Sequence, residues 1–334
     1  MRPLIRTLLL CVTLAIFITA TNAQTSAKFK ASSTVSVAHL HISKIHGSEL
    51  PPLHINGNPA QAHTQGLLVH ENGFFVTARR DDVNPRRSLL LWLQCNPKDP
   101  KENCCVSKKS WTKVWDITPT SQPANWSGIL DHPGGFDSDG ENLWIPISQS
   151  RRNGKTMLRK FSIRSLIDED DATPSDSIII NDHIGAVAVS HTPKRLFAAN
   201  WDTMIAYELS ADAKLIQHYK RNMFIQNLPN WSIAVQDWKV HKGYLVVSGL
   251  DKISKFLGSR PRSVIQLINA ETRKITAELR LPRRESGNFA REGMAVFDGY
   301  IWLLPDDLKE ENKLYRFQFN ELLKLGGEGL RLKN

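Results

Sequence analysis

Asp131-His132-Pro133-Gly134-Gly135-Phe136-Asp137-Ser138-Asp139-Gly140-Glu141-Asn142-Leu143-Trp144-Ile145-Pro146 is the stretch that decides the fold. A polar cluster with a histidine comes first, small residues follow, and two short apolar runs then flank an Asp-Gly turn signal. This order is typical of a β-hairpin whose first strand begins at a polar tip.

The same order recurs along the chain, with copies that begin near His63, Asp182, Val235 and Arg291. Aligned on the small residue of each tip, the repeat is roughly 50 residues long, and each copy has room for four strands. This pattern predicts an all-β fold, a β-propeller with five blades, with six as the alternative. A β-sandwich would not explain a polar tip at a fixed place in every repeat.

The two ends of the chain predict how the ring closes. Residues 33–42 alternate with period two and read as a strand that has no neighbour in sequence, while the fifth repeat lacks its outer strand. We expect the N-terminal strand to fill that place, which removes free sheet edges. The predicted propeller therefore spans residues 33–325, followed by a C-terminal tail at 326–334.

The first residues predict export from the cytoplasm. Arg2 and Arg6 precede an apolar run at 8–18 that is too short for a comfortable membrane span, and Thr21 and Ala23 offer small residues before a cleavage point. Residues 1–23 therefore read as a signal peptide and 24–32 as a flexible leader; a retained anchor is the alternative. We expect a secreted protein with no membrane segment after cleavage.

Cysteines, sequons and charge agree with that location. Outside the signal, the cysteines are Cys95, Cys104 and Cys105, which predict one disulfide from Cys95 to either of the other two, with a strained vicinal bridge or a zinc site as alternatives. Asn125 and Asn230 lie in N-glycosylation patterns. The net charge of +10 comes from scattered basic residues without interleaved aromatic residues, so we expect no nucleic-acid partner.

A propeller brings the starts of its inner strands to one mouth of the central channel. The side chains expected there are three histidines, acidic groups, one arginine and further substrate-binding candidates: His63, His132, His183, Glu292, Arg291, Gln65, Asp237 and Trp201. His63, His132, His183 and Glu292 are the candidate metal ligands and catalytic groups. Gln65, Trp201, Asp237 and Arg291 are the candidate substrate-binding residues, with Arg291 as holder of an anion.

Two kinds of chemistry suit this set of residues. Histidines and a carboxylate can hold a divalent cation (Zn, Ca or Mg) that activates water. Without a metal, a histidine beside a carboxylate can act as general acid or base. We therefore expect a monomeric hydrolase, lyase or cyclotransferase for a small-molecule or peptide-like substrate. The alternatives are a binding module without chemistry, for a protein or glycan partner, and a structural protein whose tip residues only join the blades.

The tips also carry a resemblance. With His-Thr-Gln-Gly at 63–66, His-Pro-Gly-Gly at 132–135, Asp-His-Ile-Gly at 182–185 and Asn-Trp at 200–201, the chain resembles an uncharacterised family of secreted β-propeller proteins, which implies a fold but no activity. Thr-Gln-Gly-Leu at 64–67 is similar to the opening of plant-type glutaminyl cyclases, which are five-bladed propellers. The acidic motif of that family is not recognisable here, so its activity does not carry over. Metal-dependent lactonases and antibiotic-inactivating lyases share only the propeller architecture.

Overall fold

A computed structural model describes residues 35–98, 110–228, 230–251, 260–308 and 312–326, and in this part of the chain five sheets form the blades of a propeller. Neighbouring blades contact one another through their inner strands, and the fifth blade contacts the first. The prediction of an all-β propeller with five blades is confirmed. The predicted signal peptide and leader lie outside the described residues, as does the tail from residue 327.

The strands in chain order are β1 (Ser36–His39), β2 (His46–Glu49), β3 (His54–Ile55), β4 (Asn58–Pro59), β5 (Ala62–His70), β6 (Gly73–Arg80), β7 (Arg87–Gln94), β8 (Lys113–Asp116), β9 (Leu130–Pro133), β10 (Asp137–Ser138), β11 (Asn142–Gln149), β12 (Thr156–Ser162), β13 (Asp176–Ile180), β14 (Ile184–His191), β15 (Lys194–Asn200), β16 (Ile205–Ser210), β17 (Leu215–Lys220), β18 (Ile233–His241), β19 (Tyr244–Asp251), β20 (Arg262–Asn269), β21 (Ile275–Arg280), β22 (Arg283–Arg284), β23 (Gly287–Asn288), β24 (Gly293–Phe297), β25 (Tyr300–Leu304) and β26 (Lys313–Gln318). The short helices are α1 (Ile163–Asp168), α2 (Arg221–Phe224) and α3 (Asn320–Leu323), and one-turn 3-10 helices span Ile42–Lys44, Trp201–Thr203 and Lys324–Gly326. None of the helices in the described residues is long and apolar enough to cross a membrane.

The blades follow the chain. Blade one is β5 to β8, blade two is β9 to β13, blade three is β14 to β17, blade four is β18 to β21 with β1, and blade five is β24 to β26 with β2. In each blade the strands are antiparallel, apart from the parallel pair of β1 and β21. Inner strands therefore begin, and second strands end, at the same face of the propeller.

The N-terminal segment closes the ring, but not through the strand that the sequence predicted. The alternating segment gives β1, which pairs in parallel with β21 of blade four. Blade five is completed by β2, which follows β1 in the chain and pairs with β26. A Cβ at Gly47 would lie 2.9 Å from the ring of Tyr315. Glycine at this position therefore lets β2 pair closely with β26. Alternation identifies a strand, but not its partner.

The hydrophobic core is divided among the blade interfaces. Five buried clusters each join two neighbouring blades, and aromatic rings fill their centres. Trp144, Trp238 and Trp302 are buried between blades. Because every blade packs on two others, burial of these side chains holds the inner strands in register around the channel.

Hydrogen bonds between small polar side chains and the backbone also cross every blade interface. The pairs are Thr77 Oγ1 to Gly134 O at 2.9 Å, Ser148 Oγ to Ile184 O at 2.8 Å, Val235 N to Thr203 Oγ1 at 2.9 Å, Ala290 N to Ser263 Oγ at 3.0 Å and Thr64 Oγ1 to Asp306 O at 3.0 Å. Each satisfies a buried backbone group that a neighbouring strand cannot reach.

The small residue of each tip reflects the crowding of inner strands near the axis. A Cβ on Gly134 would lie 2.4 Å from the carbonyl oxygen of Gly185, and one on Gly293 would lie 2.8 Å from the backbone of Gly66. Any larger residue would push neighbouring blades apart. The repeated glycine in the sequence therefore marks close backbone approach rather than catalysis.

Candidate functional site

One cavity at the channel mouth contains most of the side chains that the sequence singled out. Its volume is about 220 Å³, and residues from all five blades line it: His63, Gln65, His132, His183, Gly185, Asn200, Trp201, Asp202, Val235, Gln236 and Glu292. The three histidines, distant in sequence, thus line the same space. The backbone positions them because each lies at or just before the start of an inner strand.

β-Bulges determine which tip side chains reach the cavity. The pairing register of the inner strand shifts at Gln65 in β5, at Gly185 in β14 and at Gln236 in β18. A bulge adds one residue to one strand and changes the direction of its side chain. Gln65 and Gln236 line the cavity at these positions.

Two carboxyl groups, a histidine and an arginine lie together on one side of the cavity. His63 Nε2 is 3.5 Å from Glu292 Oε1, and His63 Nδ1 is 2.5 Å from Asp307 Oδ1. The Nε atom of Arg291 is 3.2 Å from the same Glu292 oxygen, and the Arg291 side chain is 47% exposed. The cluster joins blades one and five.

Burial changes the protonation of this cluster. It raises the pKa of Glu292 from 4.5 to about 8, against the opposing charges of His63 and Arg291. Burial alone would lower the pKa of His63, but the hydrogen bond to Asp307 and the negative charge of that carboxylate oppose it, and the pKa is raised. At neutral pH, Glu292 is therefore a carboxylic acid, and His63 is charged more often than an exposed histidine.

The second histidine is neutral, and its tautomer is fixed. Arg79 Nη1 donates to His132 Nδ1 at 2.9 Å, and His132 Nε2 is 2.8 Å from Gln65 Oε1. Because arginine can only donate, the ring proton must be on Nε2, which donates to Gln65. Burial, followed by the nearby charges of His183 and Arg79, lowers the pKa of His132 well below 6.5. Two hydrogen bonds from Arg79 to Asp81 fix the guanidinium.

The third histidine presents the opposite tautomer. His183 Nδ1 is 2.6 Å from the carbonyl oxygen of Gln149, so Nδ1 carries the proton and Nε2 does not. Burial lowers the pKa of His183 despite this bond. Its ring meets those of Trp201 and His132 edge-on, at centroid distances of 4.5 and 5.1 Å. An unprotonated imidazole nitrogen thus lies beside an apolar wall.

The wall of the cavity at blade three is conformationally unusual. Asp202 and Thr203 have φ values of 62° and 54°, in the left-handed region that non-glycine residues rarely occupy. Asp202 pairs with Arg152, and the amide of Val235 donates to Thr203. Such strain is typical of positions whose surroundings fix a functional geometry.

Asp237 does not lie where the sequence predicted. It is fully buried and accepts from the amides of Leu67 and Met294, at 3.2 and 3.0 Å, and from Lys239 Nζ at 2.5 Å. It therefore joins blade four to blades one and five, and it does not line the cavity. The physical reason is the bulge at Gln236, which exchanges the directions of neighbouring side chains. Burial raises its pKa to about 6, against the charge of Lys239.

Several residues at the site were missed by reading the tips alone. Arg79 lies at the end of β6 and Asn200 at the end of β15, while Asp307 follows β25. Since second strands run back to the same face, their ends meet the starts of the inner strands. The signal was present in the sequence as polar residues one strand after each tip.

The structure bears differently on the predicted metal, disulfide and glycans. In the described ranges, no group of three His, Cys, Asp or Glu side chains is arranged to hold a metal ion, and His132 already uses both ring nitrogens. Binding of a divalent cation stays a prediction. Cys104 and Cys105 lie outside the described residues, so the disulfide is also untested. Asn125 and Asn230 are exposed, as glycosylation would require.

Comparison with known proteins agrees with the fold. Residues 123–275 match a family of unknown function, DUF6454. This match confirms the resemblance to an uncharacterised family and includes the tips of blades two, three and four. No curated protein matches the sequence.

Among solved structures, glutaminyl cyclase from Myxococcus xanthus is similar, with 12% identity, a TM-score of 0.52, and coverage of 85% of this chain and 98% of that chain. A putative glycoside hydrolase from Bacteroides ovatus has 8% identity and a TM-score of 0.47 over 83% of this chain and 89% of that chain. A luciferin-regenerating enzyme has 10% identity and a TM-score of 0.44 over 77% of each chain. The similarity to the glutaminyl cyclase concerns the fold alone.

Proposed function

We propose that the chain is an acid–base enzyme, a hydrolase, lyase or cyclotransferase, that acts at the channel mouth on a small polar molecule or on the end of a peptide. The observation that carries this proposal is the buried Glu292 carboxyl, 3.5 Å from His63 and on the wall of a cavity. Perturbed acids in clefts are typical of catalytic sites.

The protonation states of Glu292 and His183 indicate which side chain acts as the acid and which as the base. Glu292 is the general acid, because its pKa of about 8 keeps the proton at neutral pH. His183 is the general base, because Nδ1 donates to Gln149 and leaves Nε2 as the acceptor. His63 and Arg291 lie beside one Glu292 oxygen and stabilise the carboxylate that forms when the proton leaves.

The cavity limits the substrate. A volume of about 220 Å³ holds a small molecule or one side chain of a peptide, and is smaller than the usual pocket for a drug-sized ligand. Amide groups of Gln65, Asn200 and Gln236 offer both donors and acceptors, and Trp201 adds a flat apolar wall. This lining suits a substrate that carries an amide or hydroxyl group.

The first substrate to test is a peptide with an N-terminal glutamine. Cyclisation of that residue needs a base that accepts a proton from the α-amine while its nitrogen bonds to the side-chain carbonyl carbon, and an acid that protonates the side-chain amide nitrogen so that the carbon–nitrogen bond breaks and ammonia leaves. The cavity contains both kinds of group, and the fold is similar to that of a bacterial glutaminyl cyclase. A small lactone and a small ester complete the panel, because their opening needs the same pair of proton transfers.

The test is turnover of this panel against pH. We expect Glu292→Gln and His183→Ala each to lower turnover by about 10²–10⁴-fold, with wild-type activity falling above pH 8 as Glu292 loses its proton. Glu141→Gln, on an exposed turn, is the matched control. Full activity of Glu292→Gln would overturn the proposal. Ligand binding without turnover of any compound would favour the binding-module alternative.

A further inference from the structure

A second concave site, rich in arginine, lies at the rim of blade four. Its volume is about 380 Å³, and it is lined by His39, Arg260, Arg262, Arg280, Leu281 and Arg283. None of these residues takes part in the cavity at the channel mouth. We propose that this arginine site binds an acidic polysaccharide, through its sulfate or carboxylate groups.

Strand direction puts the arginine site on the same face as the channel mouth. Arg262 begins β20 and Arg280 ends β21, and His39 ends β1 opposite Arg280 in the parallel register. Inner strands begin at this face, so third strands begin there and fourth strands end there. A polymer held by these side chains would run across the face that contains the cavity.

The charges of the site are only partly neutralised. Arg280 Nε donates to Glu278 Oε1 at 2.9 Å, and Asp251 lies opposite Arg262 in the strand register. Of the four arginines that line the site, Arg280 is the one whose ion pair with a carboxylate is seen among the described residues. Among the described residues, no carboxylate lies within ion-pair distance of Arg260 or Arg262. Both residues are exposed to solvent. The excess of positive charge attracts an anion.

The residue types favour a polysaccharide over nucleic acid. Guanidinium groups bind sulfate and carboxylate oxygens through paired hydrogen bonds, which lysine cannot make. Single-stranded nucleic acid is usually held by aromatic rings that stack on bases. No Phe, Tyr or Trp is among the described residues that line the site. Adjacent strands are about 4.8 Å apart, so the row offers repeated cationic positions to a chain of repeated charges.

The experiment measures binding of a labelled dextran sulfate oligosaccharide to the full chain by fluorescence anisotropy. We expect the triple variant Arg260→Ser, Arg262→Ser and Arg283→Ser to bind about tenfold or more weakly, because three charge-assisted contacts are lost. A matched variant, Lys214→Ser, Lys220→Ser and Lys274→Ser, removes the same charge from other exposed positions of blades three and four, and should change affinity less than about twofold.

Three results would overturn the proposal. Equal loss in both triple variants would mean that only the overall charge attracts the polymer. Binding of unsulfated dextran with equal affinity would mean that anionic groups are not recognised. Tighter binding of single-stranded DNA than of dextran sulfate, lost in the arginine variant, would make the site one for nucleic acid. Because the altered side chains are on the surface, circular dichroism should show unchanged folding.

Discussion

Replacing Glu292 with glutamine should stabilise the protein at neutral pH, although it should abolish the proposed activity. Burial raises the pKa of Glu292 to about 8, so the folded protein keeps a proton that the unfolded chain releases near 4.5. Between these values the folded state binds more protons than the unfolded state, and the free energy of unfolding falls as pH rises. Glutamine has the shape of the protonated acid and does not titrate.

The size of the effect follows from the two pKa values. Each pH unit between them changes the free energy of unfolding by about 1.4 kcal/mol. At pH 7 the variant should therefore be more stable than the wild type by about 3 kcal/mol, since the side chain is almost fully buried and little screened. For a chain of this length, that corresponds to a rise in melting temperature of about 5 °C. Below pH 4.5 the difference should vanish.

Urea unfolding followed by tryptophan fluorescence measures the free energy of unfolding of wild type and variant at pH 4 and at pH 7. Glu141→Gln, on an exposed turn, is the control for removal of a surface carboxylate. Equal stability of Glu292→Gln and wild type at pH 7 would mean that Glu292 is ionised in the folded protein. It could not then be the general acid.

Other consequences of the structure can be measured separately. Arg79→Met removes the donor to His132 Nδ1, so the tautomer of His132 should become mixed in ¹⁵N NMR spectra; an unchanged spectrum would contradict the assignment. Asp237→Asn leaves the buried Lys239 ammonium without its carboxylate and should cost about 3–5 kcal/mol in urea unfolding at pH 7; a change below about 1 kcal/mol would contradict the role of Asp237 in joining the blades. A chelator should leave turnover unchanged, because acid and base are both side chains; loss of turnover that zinc restores would instead support the cation predicted from sequence.

The architecture could be predicted because its signals are local. Two apolar runs recur in each blade, and a turn glycine recurs in four of the five, at Gly73, Gly140, Gly243 and Gly299. Close backbone approach explains the small tip residue where it occurs, as at Gly134. Closure needed long-range information. The short strand at His46–Glu49 has little pattern of its own, and its partner is at the other end of the chain.

The site could be predicted only in part, because direction matters as much as position. The starts of inner strands correctly suggested that His63, His132 and His183 would line one cavity. A one-residue bulge was enough to bury Asp237 and turn Gln236 toward the cavity. Arg79 and Asp307, which fix two of the histidines, come from second strands and the segments after them. Hydrogen-bond partners then set the protonation states, and no spacing rule reveals these.

The central claim is that Glu292 is protonated at neutral pH within the channel mouth. The most direct measurement is a pH titration of the Glu292 side-chain carboxyl in the full chain by ¹³C NMR, with Glu292→Gln used to assign the signal. We predict a midpoint of about 8. A midpoint near the ordinary value of 4.5 would contradict the proposed mechanism while leaving the five-bladed fold intact.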